Sequence, residues 1–381
     1  MQEAFASALA SWPAKGVPEN PGAWIMATAH RKLIDAVRKE HTRREKQEAL
    51  RYETETAGSG SDPDFDETSM HFPDDRLCLI FTCCHPALNQ DAQVALTLRT
   101  LGGLSTPEIA KAFLLPEATL AQRLVRAKRK IQEAHIPYET PPPNRLPERL
   151  GSVEAVIYLI FNEGYVATSG NDLVRRDLCA EAIRLGRVLS ELLPDEAESV
   201  GLLALMLLHD SRRDARIISG ELVTLEEQDR SLWDRSAISE GLILIEKALN
   251  IGRPGPYQLQ AAIAALHSQA EKPEATDWQQ IAELYKRLFE LNPSPVIALN
   301  HAVAVAMSAG LEKGLKRIDD LGVSGALDHY YLFHAARADL LRRLNRRVEA
   351  AEAYEHAASL ATNRIEQDFL KRRLRDINCG T

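Results

Sequence analysis

A chain of 381 residues with 45% apolar side chains can bury large cores and make two or three domains, which excludes a small protein stapled by disulfides. The longest apolar runs, such as residues 201–208, fall far short of the roughly 20 residues a membrane span needs, so a soluble chain with no membrane partner is expected. A net charge of −8 argues against nucleic acid only if the charge is evenly spread, so its local distribution decides. The five cysteines, Cys78, Cys83, Cys84, Cys179 and Cys379, are odd in number and irregularly spaced, and no signal peptide precedes them; reduced thiols and a cytoplasmic location are expected.

Taken in order, residues 1–13 carry a helical apolar stripe of Phe5, Ala8, Leu9 and Trp12, with no cap before it. A start in mid-helix suggests a missing N-terminal part. After the turn GVPENPG, a helix is predicted over residues 23–44, with Trp24, Ile25, Ala29, Leu33, Ile34 and Val37 on a packing face and Arg31, Lys32, Arg38 and Lys39 among the basic residues around it. It is either a solvated helix or a basic module that touches a partner. Residues 52–75 then hold eight acidic side chains and no Lys or Arg, which predicts a flexible acidic linker. Such a segment is either a solubilising tether or a polyanion that occupies a partner's nucleic-acid channel.

A short apolar helix precedes His85-Pro86, and another spans residues 89–101. Cys83, Cys84 and His85 lack the second cluster that a metal site needs, so no metal is expected. Ser105 and Glu108 have the spacing of a capping box, in which the hydroxyl accepts from the Glu108 amide and the carboxylate reaches back to the Ser105 amide. The helix that starts there ends near Leu114, because Leu115-Pro116 forces the chain out of it and opens the next. In that next helix Leu120, Leu124, Ala127 and Ile131 fall within a narrow arc, and Thr119, Gln122, Arg123, Arg126, Arg129 and Lys130 lie outside it. Residues 117–134 carry a local charge of +3. This is the pattern of a helix-turn-helix, whose second helix enters the major groove. Gln122 and Arg123 are then the base readers, while Arg126, Lys128, Arg129 and Lys130 hold phosphates. The competing reading is an amphipathic helix with a solvated basic face.

The proline-rich run at residues 139–147 predicts a stiff hinge and a domain boundary. Beyond it, ten stretches between residues 150 and 361 show apolar spacings of three and four, and no convincing strand is present. AELYKRLFELNPS and AEAYEHAASLATN lie 69 residues apart, about two tetratricopeptide periods, which predicts a helical-repeat solenoid whose concave face binds a protein, peptide or small ligand. In FNEGY and EEQDRSLWDR, Glu163, Asp229, Arg230, Asp234 and Arg235 form either an acid/base constellation or, more simply, ion pairs between helices. No nucleophile motif, phosphate loop, dinucleotide fingerprint or metal triad occurs, so neither an enzyme nor a cofactor is expected.

Two basic helical modules joined by an acidic linker, the second a helix-turn-helix, resemble the extracytoplasmic-function (ECF) branch of the sigma-70 family. Within it the chain resembles the subgroup with a tetratricopeptide-like C-terminal extension. QEAFASALASWP and NPGAWIMATAHRKLIDAVRK resemble the later part of sigma region 2, and GLSTPEIAKAFLLPEATLAQRLVRAKRKI resembles region 4; IYLIFNEGY, EAIRLGRVLSELLPDEAE, DRSLWDR and PGPYQLQAAIAALH resemble the extension. The resemblance implies an all-α protein with a partial region 2 (residues 1–51), a linker (52–74), region 4 (75–138), a hinge (139–147) and a helical-repeat domain (148–381). Its implied partners are core RNA polymerase and promoter DNA, plus a protein or small-ligand partner of the C-terminal domain. By the same resemblance Gln2, Glu3 and Phe5 meet the polymerase clamp; Trp24, Thr28, His30, Arg31, Lys32, Asp35, Arg38 and Lys39 lie near the minus 10 element; and Thr119 joins the other named side chains of its helix at the minus 35 element. The linker would thread toward the RNA path, and the C-terminal domain would regulate activity.

There are two departures from the family pattern. Region 2 normally includes helices before the position of Met1, and glycine often stands at the position of Leu114. The alternative function is a truncated, transcriptionally inactive protein whose repeat scaffold binds a protein or ligand.

Overall fold

Fifteen α-helices follow one another through residues 72–134 and 141–379, the residues that the computed structural model describes. All of these belong to one compact unit, residues 69–381. The basic helix expected over residues 23–44, most of the acidic linker, and the side chains assigned to polymerase and the minus 10 element (Gln2, Glu3, Phe5, Trp24, Thr28, His30, Arg31, Lys32, Asp35, Arg38 and Lys39) lie outside the described residues.

The first four helices are α1 (Asp75–Cys83), α2 (Gln90–Thr97), α3 (Thr106–Ala112) and α4 (Glu117–Glu133). Asp74 opens α1 by accepting from the Leu77 amide at 2.8 Å, so the last acids of the predicted linker belong to a helix start. Asn89 caps α2 in the same way through Ala92. A π-helical turn, Leu98–Gly102, extends α2 and ends at Gly103 with φ 76°, a left-handed conformation that glycine adopts without strain.

Next come α5 (Pro147–Tyr165), α6 (Arg176–Leu192) and α7 (Ala197–Asp210). Leu77, Ile80, Phe81, Leu98, Ile109 and Leu120 share one continuous core with Leu146, Val153, Ile157, Ile160, Leu185 and Leu202. Residues 141–147 of the proline-rich stretch lead into this same core. Leu146 is buried within it, and Pro147 starts α5 directly, because proline is pre-organised for the first turn of a helix.

Helix α7 is buried on nearly every side, from Val200 to Leu208, and packs against α5, α6, α8 (Arg235–Ile251) and α9 (Pro256–Gln269). From α9 onward each helix packs on the next: α10 (Trp278–Leu291), α11 (Pro295–Ala309), α12 (Leu311–Gly322), α13 (Tyr331–Arg343), α14 (Arg347–Leu360) and α15 (Arg364–Cys379). The two similar stretches of sequence lie on α10 and α14. Helix α15 was not foreseen, because its dense charge hides the spacing of Ile365, Phe369, Leu370, Leu374 and Ile377.

One hairpin, β1 (Ile217–Ile218) with β2 (Glu221–Leu222), corrects the expectation that no strand is present. Its two-residue turn places both Ser219 (φ 53°) and Gly220 (φ 83°) in the left-handed region, as a type I′ turn requires. Strands of two residues are too short to leave a periodic signal.

The helical succession closes on itself. Asn363 donates to the Ala167 and Asp172 carbonyls at 3.2 and 3.0 Å, Thr362 donates to the Thr168 carbonyl at 2.5 Å, and Arg372 pairs with Glu221 of the hairpin.

Candidate nucleic-acid interface

The capping box expected at α3 is formed. The Ser105 amide donates to Glu108 Oε2 at 2.5 Å, and the Glu108 amide donates to Ser105 Oγ at 3.4 Å. At the other end, the Leu114 amide donates to the Lys111 carbonyl and the Leu115 amide to the Ala110 carbonyl, the paired bonds of a Schellman motif. This motif needs a left-handed residue, and Leu114 supplies it with φ 52° while 46% exposed. The turn therefore uses the glycine geometry without glycine, at a strain of about 1 kcal/mol. Leu114→Gly relieves this strain but gives up the covered half of the side chain and loosens the unfolded chain, so stability is expected to change by less than about 1 kcal/mol; a larger shift of the urea midpoint would contradict this.

Pro116 then leads into α4. Leu120, Leu124 and Ala127 are buried and Ile131 is half-buried, so the predicted packing arc is the face turned to the core. Gln122, Arg123, Arg126, Lys128, Arg129 and Lys130 are all exposed, and Thr119 is half-buried. These side chains do not form one cluster. Arg123, Arg126 and Lys130 line a groove with Asn89 and Asp91 at the start of α2, whereas Gln122, Lys128 and Arg129 lie outside it. Arg123 meets Asp91 at 3.3 Å and Arg129 pairs with Glu133 at 2.6 Å. Both pairs are solvent-exposed and contribute little stability, so the arginines are easily released to a stronger anionic partner. Val125, 66% exposed, adds an apolar point to the free surface. Asn89 and Asp91 were missed in the sequence because only the packing of α2 on α4 brings them beside the basic side chains.

A set of polar contacts fixes the helix-turn-helix to the helices that follow. Arg175 bridges the capping-box carboxylate Glu108 (3.1 Å) and Glu163 (3.8 Å). Glu163 in turn accepts from the Thr168 amide at 2.9 Å and the Thr168 hydroxyl at 2.6 Å. Burial pushes its carboxyl above the usual range, and the two Thr168 bonds offset this to some extent. Lys111 of α3 donates to the Thr168 carbonyl at 3.3 Å and to Thr362 at 3.4 Å, at the seam where the helical succession closes. Arg76 pairs with Glu181 at 2.7 Å, and the buried Arg149 donates to the Phe81 carbonyl at 2.8 Å.

FNEGY thus belongs to a clasp between two regions of the chain. In the second motif, Asp229 accepts from the Ser231 amide, Asp234 caps α8, and Arg230 stacks on Trp233 with its carbon 4.5 Å from the ring centre. Asp229 and Asp234 thereby serve local turns.

Comparison with known proteins matches residues 78–131 to the model of sigma-70 region 4, which covers α1 from Cys78 and runs through most of α4. Residues 149–249 match a family of unknown function, DUF6596. An uncharacterized protein of Rhizobium meliloti (strain 1021), R00370, is 46% identical over 381 residues, covering 98% of this chain and 88% of that protein. No helix among the described residues is long and apolar enough to cross a membrane. The chain therefore belongs to the same family as the Rhizobium meliloti protein and carries within it a sigma-70 region 4 domain, whose exposed basic helix is α4.

Proposed function

We propose that this protein is a sigma factor of the ECF type, which brings core RNA polymerase to a set of promoters and catalyses no reaction itself. The observation that carries this reading is α4: inside the segment matching region 4, its apolar arc is buried while six polar and basic side chains are exposed. Gln122 and Arg123 read bases of the minus 35 element, Arg126, Lys128, Arg129 and Lys130 hold phosphates, and Thr119 joins them at that element. Trp24, Thr28, His30, Arg31, Lys32, Asp35, Arg38 and Lys39 serve the minus 10 element, and Gln2, Glu3 and Phe5 the polymerase. The helices after α4 form a tetratricopeptide-like regulatory domain. Because its first three helices, α5–α7, share a core with region 4, a signal received there reaches the DNA-reading helix through packed side chains rather than a tether.

The test is promoter binding and transcription in vitro with core polymerase. Arg123→Ala is expected to cost about 2 kcal/mol and to relax preference at one or two bases, since a bidentate arginine–base pair is lost. Lys130→Ala is expected to weaken binding evenly over sequences and to lower the salt slope by about 1. If both variants bound and transcribed like the parent, the assignment of α4 to DNA would fail.

A further inference from the structure

Where the helical succession closes, the loop after the hairpin, the end of α9, the start of α10 and helices α13–α15 line a half-open chamber of about 300 Å³. Its apolar wall includes Leu225, Trp278, Tyr354 and Phe369. Its charged lining is four arginines against three carboxylates, and those carboxylates are taken. Asp339 accepts from Arg342 at 2.6 Å and from Arg343 at 2.7 Å, Glu226 accepts from Arg343 at 2.7 Å, and Glu227 accepts from Arg373 at 2.5 Å.

Arg230, the fourth arginine, has no carboxylate partner among the described residues. It donates to the carbonyls of His267 (2.8 Å) and Ala270 (2.6 Å), and its Nε is buried without a hydrogen bond. Behind it the buried Arg212 is also without a carboxylate: it meets the Tyr165 hydroxyl at 3.2 Å and His209 Nδ1 at 2.8 Å, and its Nε too is unpartnered. The field on the chamber wall is accordingly positive. Burial, then Arg212 and Arg230, push the His267 imidazole down to about 4, so it is neutral at physiological pH and leaves these guanidinium charges as the local cations. Burial, then Arg212 and Arg235, lower Arg230 itself, against a lesser opposing pull from Glu274. Keeping a half-buried guanidinium unpaired beside an apolar wall costs free energy that an anionic ligand would return.

We propose that the chamber binds a small organic anion, a carboxylate or phosphate monoester on a flat apolar body, with Arg230 as its counter-charge and Trp278, Tyr354 and Phe369 as its walls. With both Nη1 hydrogens of Arg230 given to the His267 and Ala270 carbonyls, its Nη2 and its charge remain to meet one oxygen of either headgroup, and the volume suits a body of one or two rings. This site is separate from the DNA-reading helix, and its occupancy is measurable without DNA or polymerase.

The experiment titrates the full chain with naphthoate, naphthyl phosphate and the neutral naphthylmethanol, by calorimetry and by tryptophan fluorescence. At least one anion is expected to bind saturably, and the tighter of the two identifies the headgroup. The alcohol is expected to bind about tenfold or more weakly, the value of one charge-assisted contact. Arg230→Gln should abolish the preference for the anion, and Arg230→Lys should retain most of it. Saturable binding of neither anion, equal binding of the alcohol, or undiminished anion binding by Arg230→Gln overturns the proposal. Should Arg230→Gln fail to fold, the comparison of anion with alcohol on the parent chain still decides.

Discussion

Glu154→Gln is expected to stabilise the protein by about 3 kcal/mol at neutral pH and to flatten its stability profile between about 4.5 and about 8. Glu154 sits on α5 with 5% of its surface exposed and receives the Ser199 hydroxyl at 2.7 Å. Burial raises its pKa from 4.5 to about 8; the Ser199 bond opposes this, and the charges of Glu198 and Glu196 add to it. Glu198 is engaged elsewhere, accepting from the Tyr257 and Gln258 amides at 2.8 and 3.1 Å to hold the start of α9, where Gly255 offers no side-chain cap. Because folding raises the pKa, the folded chain holds this proton more tightly than the unfolded one. The resulting stability is whole below 4.5 and is lost as pH rises through about 8. Glutamine keeps the shape and an acceptor for Ser199 and has nothing to ionise. Urea unfolding midpoints across this window measure the effect. Parallel profiles for parent and variant would show that Glu154 does not titrate as its surroundings demand.

Gly164→Ala is expected to cost about 3 kcal/mol, near the upper end for adding one methyl group to a packed interior. A Cβ at this position would lie 2.7 Å from the Cys179 backbone nitrogen, and 2.9 Å from both its Sγ and Leu178 Cβ. The nearest obstacle is backbone, so α6 must move as a whole. Its start carries Arg175, whose amide donates to the Gly164 carbonyl at 2.7 Å and whose side chain holds Glu108 at the capping box. The variant should therefore unfold earlier and also lose hydrogen-exchange protection at the start of α3. Gly151→Ala on the same helix is the control: its Cβ would meet only Gln90 Nε2, at 3.8 Å, and alanine there should gain about 0.5–1 kcal/mol. If both substitutions behaved alike, contact between α5 and α6 would not be what requires glycine at position 164.

The helix-turn-helix was legible because each of its signals is local. Ser105 finds Glu108 three residues away, Pro116 resets the chain beside α4, and the arc from Leu120 to Ile131 repeats within the reach of one helix. The helix Trp278–Leu291 is legible to the residue for the same reason, and its neighbours to within a few residues. What escaped was either too short or too polar for periodicity to register: the hairpin around Ser219-Gly220, and α15 with its crowd of arginines. For FNEGY the ion-pair reading was legible but the partners were not, because Glu163 acts through Thr168 and Arg175, and Arg175 reaches Glu108 across 67 residues.

By itself, the sequence determined that the described chain is helical, where each main helix turns its apolar face, and that positive charge gathers on α4. These properties depend on side chains within about four positions of one another. Only the tertiary structure decided that region 4 and α5–α7 share one core, that Arg123 lies beside Asp91, and that Arg230 is left without a carboxylate among the described residues. Those outcomes rest on which helices meet after the chain closes through Thr362 and Asn363 onto residues 167–172, nearly two hundred positions earlier, and a contact between such distant residues leaves no period in the sequence to reveal it.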